Sequence, residues 1–165
     1  MFKTFQMTLA VTAAFALALL TPVGAWAQSL ADRDTNEIAG YMLTDAGLAK
    51  YRQAVHKLQP LMGQLPQDCD HDEGSQSLDG TAARMDGVPE AKSVLKAAGM
   101  TSREYVVFSW SLFQNGMAAW TLEQPGGQLP PGVKMANVTF YRAHEAELKK
   151  LGELTKQADC DNSNR

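Results

Sequence analysis

The residues best suited to chemistry lie in an acidic stretch of the sequence. Hard cations such as Ca²⁺ bind several carboxylate oxygens at once, and aspartates at alternate positions of a loop can supply them. Four aspartates follow the spacing of a calcium-binding loop: Asp68, Asp70, Asp72 and Asp79. The pattern departs from that loop, because Glu73 replaces the glycine of its sharp turn and an aspartate replaces its final glutamate. A Ca²⁺ or other divalent-cation site is therefore one interpretation, and a solvated acidic loop is the commoner outcome for so incomplete a motif.

Two cysteines, Cys69 and Cys160, offer a second possible chemistry. An even number of cysteines in an exported chain predicts a disulfide bond. The sequence has no C-x-x-C spacing, so a redox-active pair lacks its motif. The bond would also gather four aspartates that either repel one another or recruit a cation: Asp68, Asp70, Asp159 and Asp161.

A third set of candidate residues consists of His144 and Trp110. His144 lies on the apolar face of the last predicted helix, where it could be a ligand or a general base. Trp110 belongs to an aromatic helix that could line an apolar pocket. The sequence contains no H-E-x-x-H, Glu-x-x-His or G-x-S-x-G motif and no phosphate loop. A structural histidine and ordinary core packing are therefore the commoner interpretations.

The N-terminal 27 residues have the pattern of a signal peptide. Lys3 precedes a short apolar run over residues 8–20, and Ala25 and Ala27 fit a small-x-small cleavage site. The run is shorter than the roughly 20 residues of a membrane span. We predict removal of residues 1–27 and a single exported helical domain over residues 28–165, periplasmic or secreted and without a membrane span.

The charge of the chain excludes one class of partner. The net charge is −3, and no cluster of lysine and arginine forms the basic surface that nucleic-acid binding requires. The sequence selects no other partner, although export makes an envelope protein the first possibility.

The periodicity of the chain predicts an all-α fold with about four main helices and one long loop. The central helix covers residues 101–122, because Thr101 and Glu104 form a capping box and Gly99 ends the preceding helix. We expect its aromatic side to be buried and its narrow, smaller side to be the exposed edge. That smaller side comprises Val107, Ser111, Gln114, Ala118 and Thr121.

Other helices are predicted on either side of this one. An apolar stripe predicts a helix that begins after Thr44 and ends near Leu58. Short helices are expected over residues 81–85 and 89–98, and Asn137 is the predicted cap of a last helix that ends near residue 157. Residues 28–43 are expected to begin as a flexible segment, and residues 63–80 are expected to form the long loop.

Three segments resemble a group of small exported bacterial proteins that have no assigned activity. The segments are YMLTDAGLAKY (41–51), PEAKSVLKAAGMTSREYVVFSWSLFQ (89–114) and NVTFYRAHEAELKKL (137–151). The resemblance implies export and a helical fold, and it assigns no catalytic or binding residue.

Three hypotheses for function follow from the sequence. The first is a non-enzymatic binding or envelope-associated interaction domain, because no catalytic motif is present. The second is a divalent-cation-binding protein that uses the acidic stretch 68–79. The third is a small-ligand carrier or an enzyme built around His144 and the aromatic helix.

We expect reduction of a Cys69–Cys160 disulfide to lower the melting temperature. The bond would close a loop of roughly 90 residues, which the chain-entropy model values at about 4–5 kcal/mol as an upper figure. Thiol titration before and after reduction, followed by thermal unfolding, tests this expectation. A melting temperature that does not change on reduction, with both thiols oxidised beforehand, would refute the stabilising role.

Overall fold

The computed structural model of the chain describes residues 23–65 and 77–155, with only the backbone described for residues 23–30. Most of the predicted signal peptide lies outside these ranges. The same holds for both cysteines and for three of the four predicted cation ligands: Cys69, Cys160, Asp68, Asp70 and Asp72. The disulfide and most of the acidic stretch therefore stay predictions.

Helices account for nearly all of the described chain. The ranges 23–65 and 77–155 contain six α-helices, one 3₁₀ helix and no strand. In chain order these are α1 (Val23–Gly40), α2 (Asp45–Leu58), the 3₁₀ helix (Gln59–Gln64), α3 (Leu78–Asp86), α4 (Pro89–Ala97), α5 (Ser102–Glu123) and α6 (Met135–Leu154). The all-α prediction is confirmed, and the expected number of about four main helices is too low.

The longest helix, α5, is the element against which the others pack. Its start follows the predicted capping box, in which the Thr101 hydroxyl accepts from the Glu104 amide at 3.1 Å and the Glu104 carboxylate accepts from the Thr101 amide at 2.7 Å. Gly99 has a φ of 77°, a left-handed conformation that glycine adopts without strain, and it allows α4 to end and α5 to begin within a few residues.

The main core forms where α2, α3, α4 and α6 meet α5. The predicted stripe of α2 is buried there in full, and it comprises Leu48, Tyr51, Val55 and Leu58. Phe108 of α5 is fully buried at the centre, with the Tyr51 ring 5.0 Å and the Tyr41 ring 6.0 Å from its own ring. A smaller apolar cluster lies toward the other end of α5 and includes Ala118, Val133 and Val138.

Three predicted boundaries are wrong. Helix α1 occupies most of the range that was expected to begin as a flexible segment, and α3 begins at Leu78, inside the expected loop. Helix α6 begins at Met135, so Asn137 lies inside it and does not cap it. The polar sequence of α1 does not predict a helix, because the contacts that stabilise α1 come from residues distant in the chain.

Asn137 instead ties the segment between α1 and α2 to α6. Its side-chain oxygen accepts from the Leu43 amide at 3.0 Å, and its side-chain nitrogen donates to the Tyr41 carbonyl at 2.7 Å. Asn137 is almost completely buried, and these bonds satisfy two backbone groups that would otherwise be buried without partners.

The orientation of α5 differs in part from the predicted one. Val106, Phe108 and Leu112 of the expected core side are buried as predicted. Val107, Ser111 and Ala118 of the expected exposed edge are buried, whereas Trp110 of the expected core is 43% exposed. Small residues at two different positions around α5 allow two neighbouring helices to approach closely. The Ser111 hydroxyl donates to the Ile38 carbonyl of α1 at 3.2 Å, and a Cβ added at Gly116 would lie 2.8 Å from the Tyr141 ring of α6.

This orientation predicts a clear contrast between two aromatic residues of α5. Phe108→Ala should lower the free energy of unfolding by roughly 3–5 kcal/mol, because it leaves a cavity in the core. Trp110→Ala should lower it by less than about 2 kcal/mol, since much of the ring is already in water. Urea unfolding of both variants provides the measurement. Equal losses, or a larger loss at Trp110, would contradict the orientation of the helix.

Candidate functional site

Asp79 is the one predicted cation ligand among the described residues, and it belongs to an ion cluster that joins three helices. Arg103 of α5 donates from its two terminal nitrogens to the two carboxylate oxygens of Glu37 on α1. Its Nε donates to Asp79 Oδ1 on α3 at 2.7 Å. Arg33 of α1 donates to the other oxygen of Asp79, also at 2.7 Å. Both oxygens of Asp79 are therefore bound to arginine.

Asp34 extends this cluster to the backbone of α3. One of its carboxylate oxygens accepts from Arg33 at 2.9 Å. The other accepts from the amide of Leu78, the first residue of α3, at 2.8 Å. A helix start has amides without intrahelical partners and favours negative charge, so Asp34 stabilises α3 from a different helix. Arg33, Asp34, Glu37, Asp79 and Arg103 are called the ion cluster below.

The ion cluster shifts the pKa of Glu37, Asp79 and Arg103 in the directions that ion pairing requires. Hydrogen bonds from Arg103 lower the pKa of Glu37 below its ordinary value. Those from Arg103 and Arg33 lower the pKa of Asp79. The same contacts raise the pKa of Arg103. Glu37, Asp79 and Arg103 are therefore ionised at neutral pH, and the role of the cluster within the described chain is to connect helices.

These contacts bear directly on the cation hypothesis. A cation at Asp79 would have to displace two guanidinium groups from the two oxygens of this carboxylate. No group of three or more histidine, cysteine or acidic side chains within residues 23–65 and 77–155 could hold a metal ion. Because Asp68, Asp70 and Asp72 lie outside these ranges, the cation site stays a prediction.

His144 lies between α6 and the start of α2. Its Nε2 is 3.0 Å from a carboxylate oxygen of Asp45, and its ring centroid is 4.4 Å from that of Phe140. Its Nδ1 is 3.9 Å from a carboxylate oxygen of Glu147. The half-buried position and the nearby carboxylate agree with the structural interpretation. Trp110 has different neighbours, with its ring edge-on to that of Phe113.

A cleft of about 520 Å³ opens between α3, α4 and the start of α5. Its charged groups largely pair with each other. The Ser102 hydroxyl donates to the Asp86 carboxylate at 2.6 Å, and Lys92 lies 3.4 Å from the same carboxylate. Asp79 and Arg103, which also line the cleft, belong to the ion cluster. This arrangement stabilises the junction of the helices and offers no evident catalytic group.

The most unusual surface of the described chain is an apolar stripe on α5. Four large side chains point away from the core along one line of this helix: Trp110 (43% exposed), Phe113 (61%), Met117 (49%) and Trp120 (57%). The stretch 105–122 contains no aspartate, glutamate, lysine or arginine. These four residues are called the α5 stripe below. A contiguous exposed apolar patch of this kind marks an interaction site more often than scattered single residues do.

The sequence predicted that the members of the α5 stripe are core residues, and this prediction is wrong. Helix α5 carries apolar residues around most of its circumference, so hydrophobicity alone does not decide which side faces inward. The intervals of three, four and three residues along the stripe are a signal that could have found it, because they follow a single line along a helix. The small residues on the opposite side are the second signal, since they suit close packing of helices.

No helix among the described residues is long and apolar enough to cross a membrane. Neither a protein-family model, nor a curated protein, nor a solved structure matches the chain. The resemblance to small exported bacterial proteins therefore stays a prediction.

The ion cluster predicts a pH-dependent contribution to stability. Because Glu37 and Asp79 have lowered pKa values in the folded state, their contribution is present above their ordinary pKa of about 4. It is lost as the pH falls through the lowered values. Urea unfolding of wild type and Arg103→Met should give a difference in free energy at about pH 7 that shrinks at about pH 3.

The control for this prediction is Lys150→Met, which removes an exposed positive charge from α6. Its difference from wild type should change much less between the two pH values. A difference for Arg103→Met that is constant with pH would show that the cluster adds no ionic stabilisation.

Proposed function

We propose that this protein is a non-enzymatic exported domain that binds another polypeptide through the α5 stripe. The observation that carries this proposal is the exposure of two tryptophans, a phenylalanine and a methionine along one charge-free face of a helix. Aromatic residues and methionine are enriched in protein interfaces, and tryptophan is prominent among the residues that supply most of the binding energy.

The size of the α5 stripe supports this function. A buried aromatic side chain covers about 150–250 Å², so a half-exposed one leaves about 100 Å² in water. The four side chains together expose about 400 Å², within the range of the largest apolar patches on soluble monomers, which are often functional. Exposure of this apolar area to water raises the free energy of the protein, and binding would remove that contribution.

The rigidity of α5 also supports the proposed function. The helix is fixed at its start by the capping box and by Arg103 in the ion cluster. Its inner side is fixed by close packing against α1 and α6. A binding surface on such a helix is already in its bound geometry, so association loses little conformational entropy.

Export places the partner of this domain in the same compartment. If residues 1–27 are removed as predicted, Arg33, Asp34 and Glu37 stay in the mature chain, and with them the contacts between α1, α3 and α5. The proposed partner is thus a protein of the periplasm, the envelope or the extracellular space.

The other two hypotheses have less support. The cation hypothesis depends on residues outside the described ranges, apart from Asp79, which pairs with two arginines. Calorimetric titration with Ca²⁺ tests it. The ligand or enzyme hypothesis depends on His144 and Trp110, which have different neighbours. Native mass spectrometry of wild type and His144→Ala would reveal a bound small molecule.

The proposed function predicts that a photocrosslinker in the α5 stripe captures a partner in the producing cell. Phe113 would be replaced by p-benzoylphenylalanine, because it is the most exposed member of the stripe. Irradiation should give a defined covalent adduct, detected by blotting as a band above the monomer.

The matched control carries the same crosslinker at Gln53, an exposed residue of α2 outside the stripe. It should give little or no defined adduct. Equal labelling from both positions, or no adduct from Phe113, would count against the proposed function.

A further inference from the structure

We infer that the partner of the α5 stripe is a second copy of this chain, with the two α5 helices antiparallel. This inference rests on the proposed function, since it names the partner of the same surface. The dimer would be isologous, which means that one patch on each copy forms the whole interface.

The spacing of the stripe is the first argument. Its members follow one another at intervals of three, four and three residues, and this order is the same from either end. A two-fold axis between Phe113 and Met117 places Trp110 opposite Trp120 of the second copy. The same axis places Phe113 opposite Met117 of the second copy. An isologous pair of helices requires such a self-matching pattern.

The heptad positions of α5 are the second argument. With Trp110 at position a, the stripe occupies successive a and d positions, the seam along which two helices pack in a coiled coil. Between residues 108 and 120 the buried side chains fall at positions b, c and f on the opposite side: Phe108, Ser111, Leu112, Asn115, Ala118 and Ala119. One turn earlier the seam closes, because Val106 at position d is itself buried. Helix α5 therefore has one complete packing face for the domain and a separate one for a second helix.

The chemistry of the facing pairs is the third argument. Tryptophan would meet tryptophan at both ends of the seam, and methionine would meet phenylalanine on both sides of the axis. Aromatic pairs and sulfur–aromatic contacts are both favourable. Between residues 105 and 122 no charged side chain exists that would face its own copy across the axis. Like charges at such positions would oppose self-association.

The exposed area of the α5 stripe is compatible with a weak dimer. About 400 Å² from each copy gives about 800 Å² from the stripes, which falls among the small, weak interfaces below about 1,200 Å². We therefore expect dissociation in the micromolar range, at the weak end of the affinities seen for specific interfaces.

The charge of the chain argues against a lipid surface as the partner of the α5 stripe. Amphipathic helices that lie on membranes carry lysine and arginine beside their apolar face. Helix α5 has neither between residues 105 and 122, and the whole chain is acidic, with a net charge of −3. A second copy satisfies the apolar face without requiring positive charge.

The test is sedimentation equilibrium of the protein as purified from the exporting cell. Wild type should change from monomer to dimer as its concentration rises. Phe113→Glu should weaken the dimer by at least about tenfold, because it places a charge in the seam. The control Gln53→Glu adds the same charge on α2 and should leave the dimer unchanged. If Phe113→Glu does not fold, as judged by circular dichroism, Trp120→Ser replaces it.

A second variant tests the direction of the helices. Phe113→Glu combined with Met117→Lys places opposite charges across an antiparallel seam and like charges across a parallel one. The double variant should therefore recover part of the affinity that Phe113→Glu alone loses. No recovery would overturn the antiparallel arrangement.

The remaining outcomes separate the two proposals. A monomer at all concentrations, together with a Phe113 crosslink to a different protein, would overturn the dimer and leave the proposed function standing. A monomer without any crosslink would overturn both. A dimer that tolerates Phe113→Glu and Trp120→Ser would use another surface, which also overturns the inference. Binding of the monomer to vesicles through the stripe would point to a lipid partner instead.

Discussion

The close approach of α1 and α6 to small residues of α5 is the constraint on which the rest of the structure depends. Ser111 faces α1 and Gly116 faces α6, and a methyl group at Gly116 would already collide with the Tyr141 ring. With α1 and α6 packed against these two residues, the bulky residues of the stripe have no core to enter. Their exposure follows from where small residues permit contact between backbones, and the same choice creates the surface on which the proposed function depends.

The ion cluster complements this packing with directional bonds. Apolar contacts hold α5 against its neighbours but define their relative orientation weakly, whereas Arg103 reaches carboxylates on two other helices in a fixed planar geometry. Asp34 adds a bond to the start of α3. Such partly exposed pairs contribute modest free energy. Their main effect is to fix the arrangement in which α1, α3 and α5 meet.

Short-range sequence patterns predict much of this fold. The features that they do not predict depend on contacts between residues that are distant in the chain. The capping box at Thr101, the left-handed Gly99 and the apolar stripe of α2 act within one or two turns, so the sequence reveals them. Helix α1 depends on Arg103 and on the backbone of α3, which no local pattern shows. The burial of Phe108 and Leu112 was predicted from hydrophobicity, but packing also buried the smaller residues beside them and left the α5 stripe outside. Asp79 has the residue type of a cation ligand, and only the three-dimensional contacts reveal its two arginine partners.

The side chain of Asn137 also constrains the order in which the chain can fold. Its two bonds reach residues 94 and 96 positions earlier in the sequence. A polypeptide leaves the ribosome with its N-terminus first, so the connection between α1 and α2 exists long before the side chain that secures it. Until α6 has been synthesised, the buried amide of Leu43 and carbonyl of Tyr41 lack these partners. The connection between α1 and α2 therefore completes its hydrogen bonds only when the last helix of the chain is present, even though it is made early.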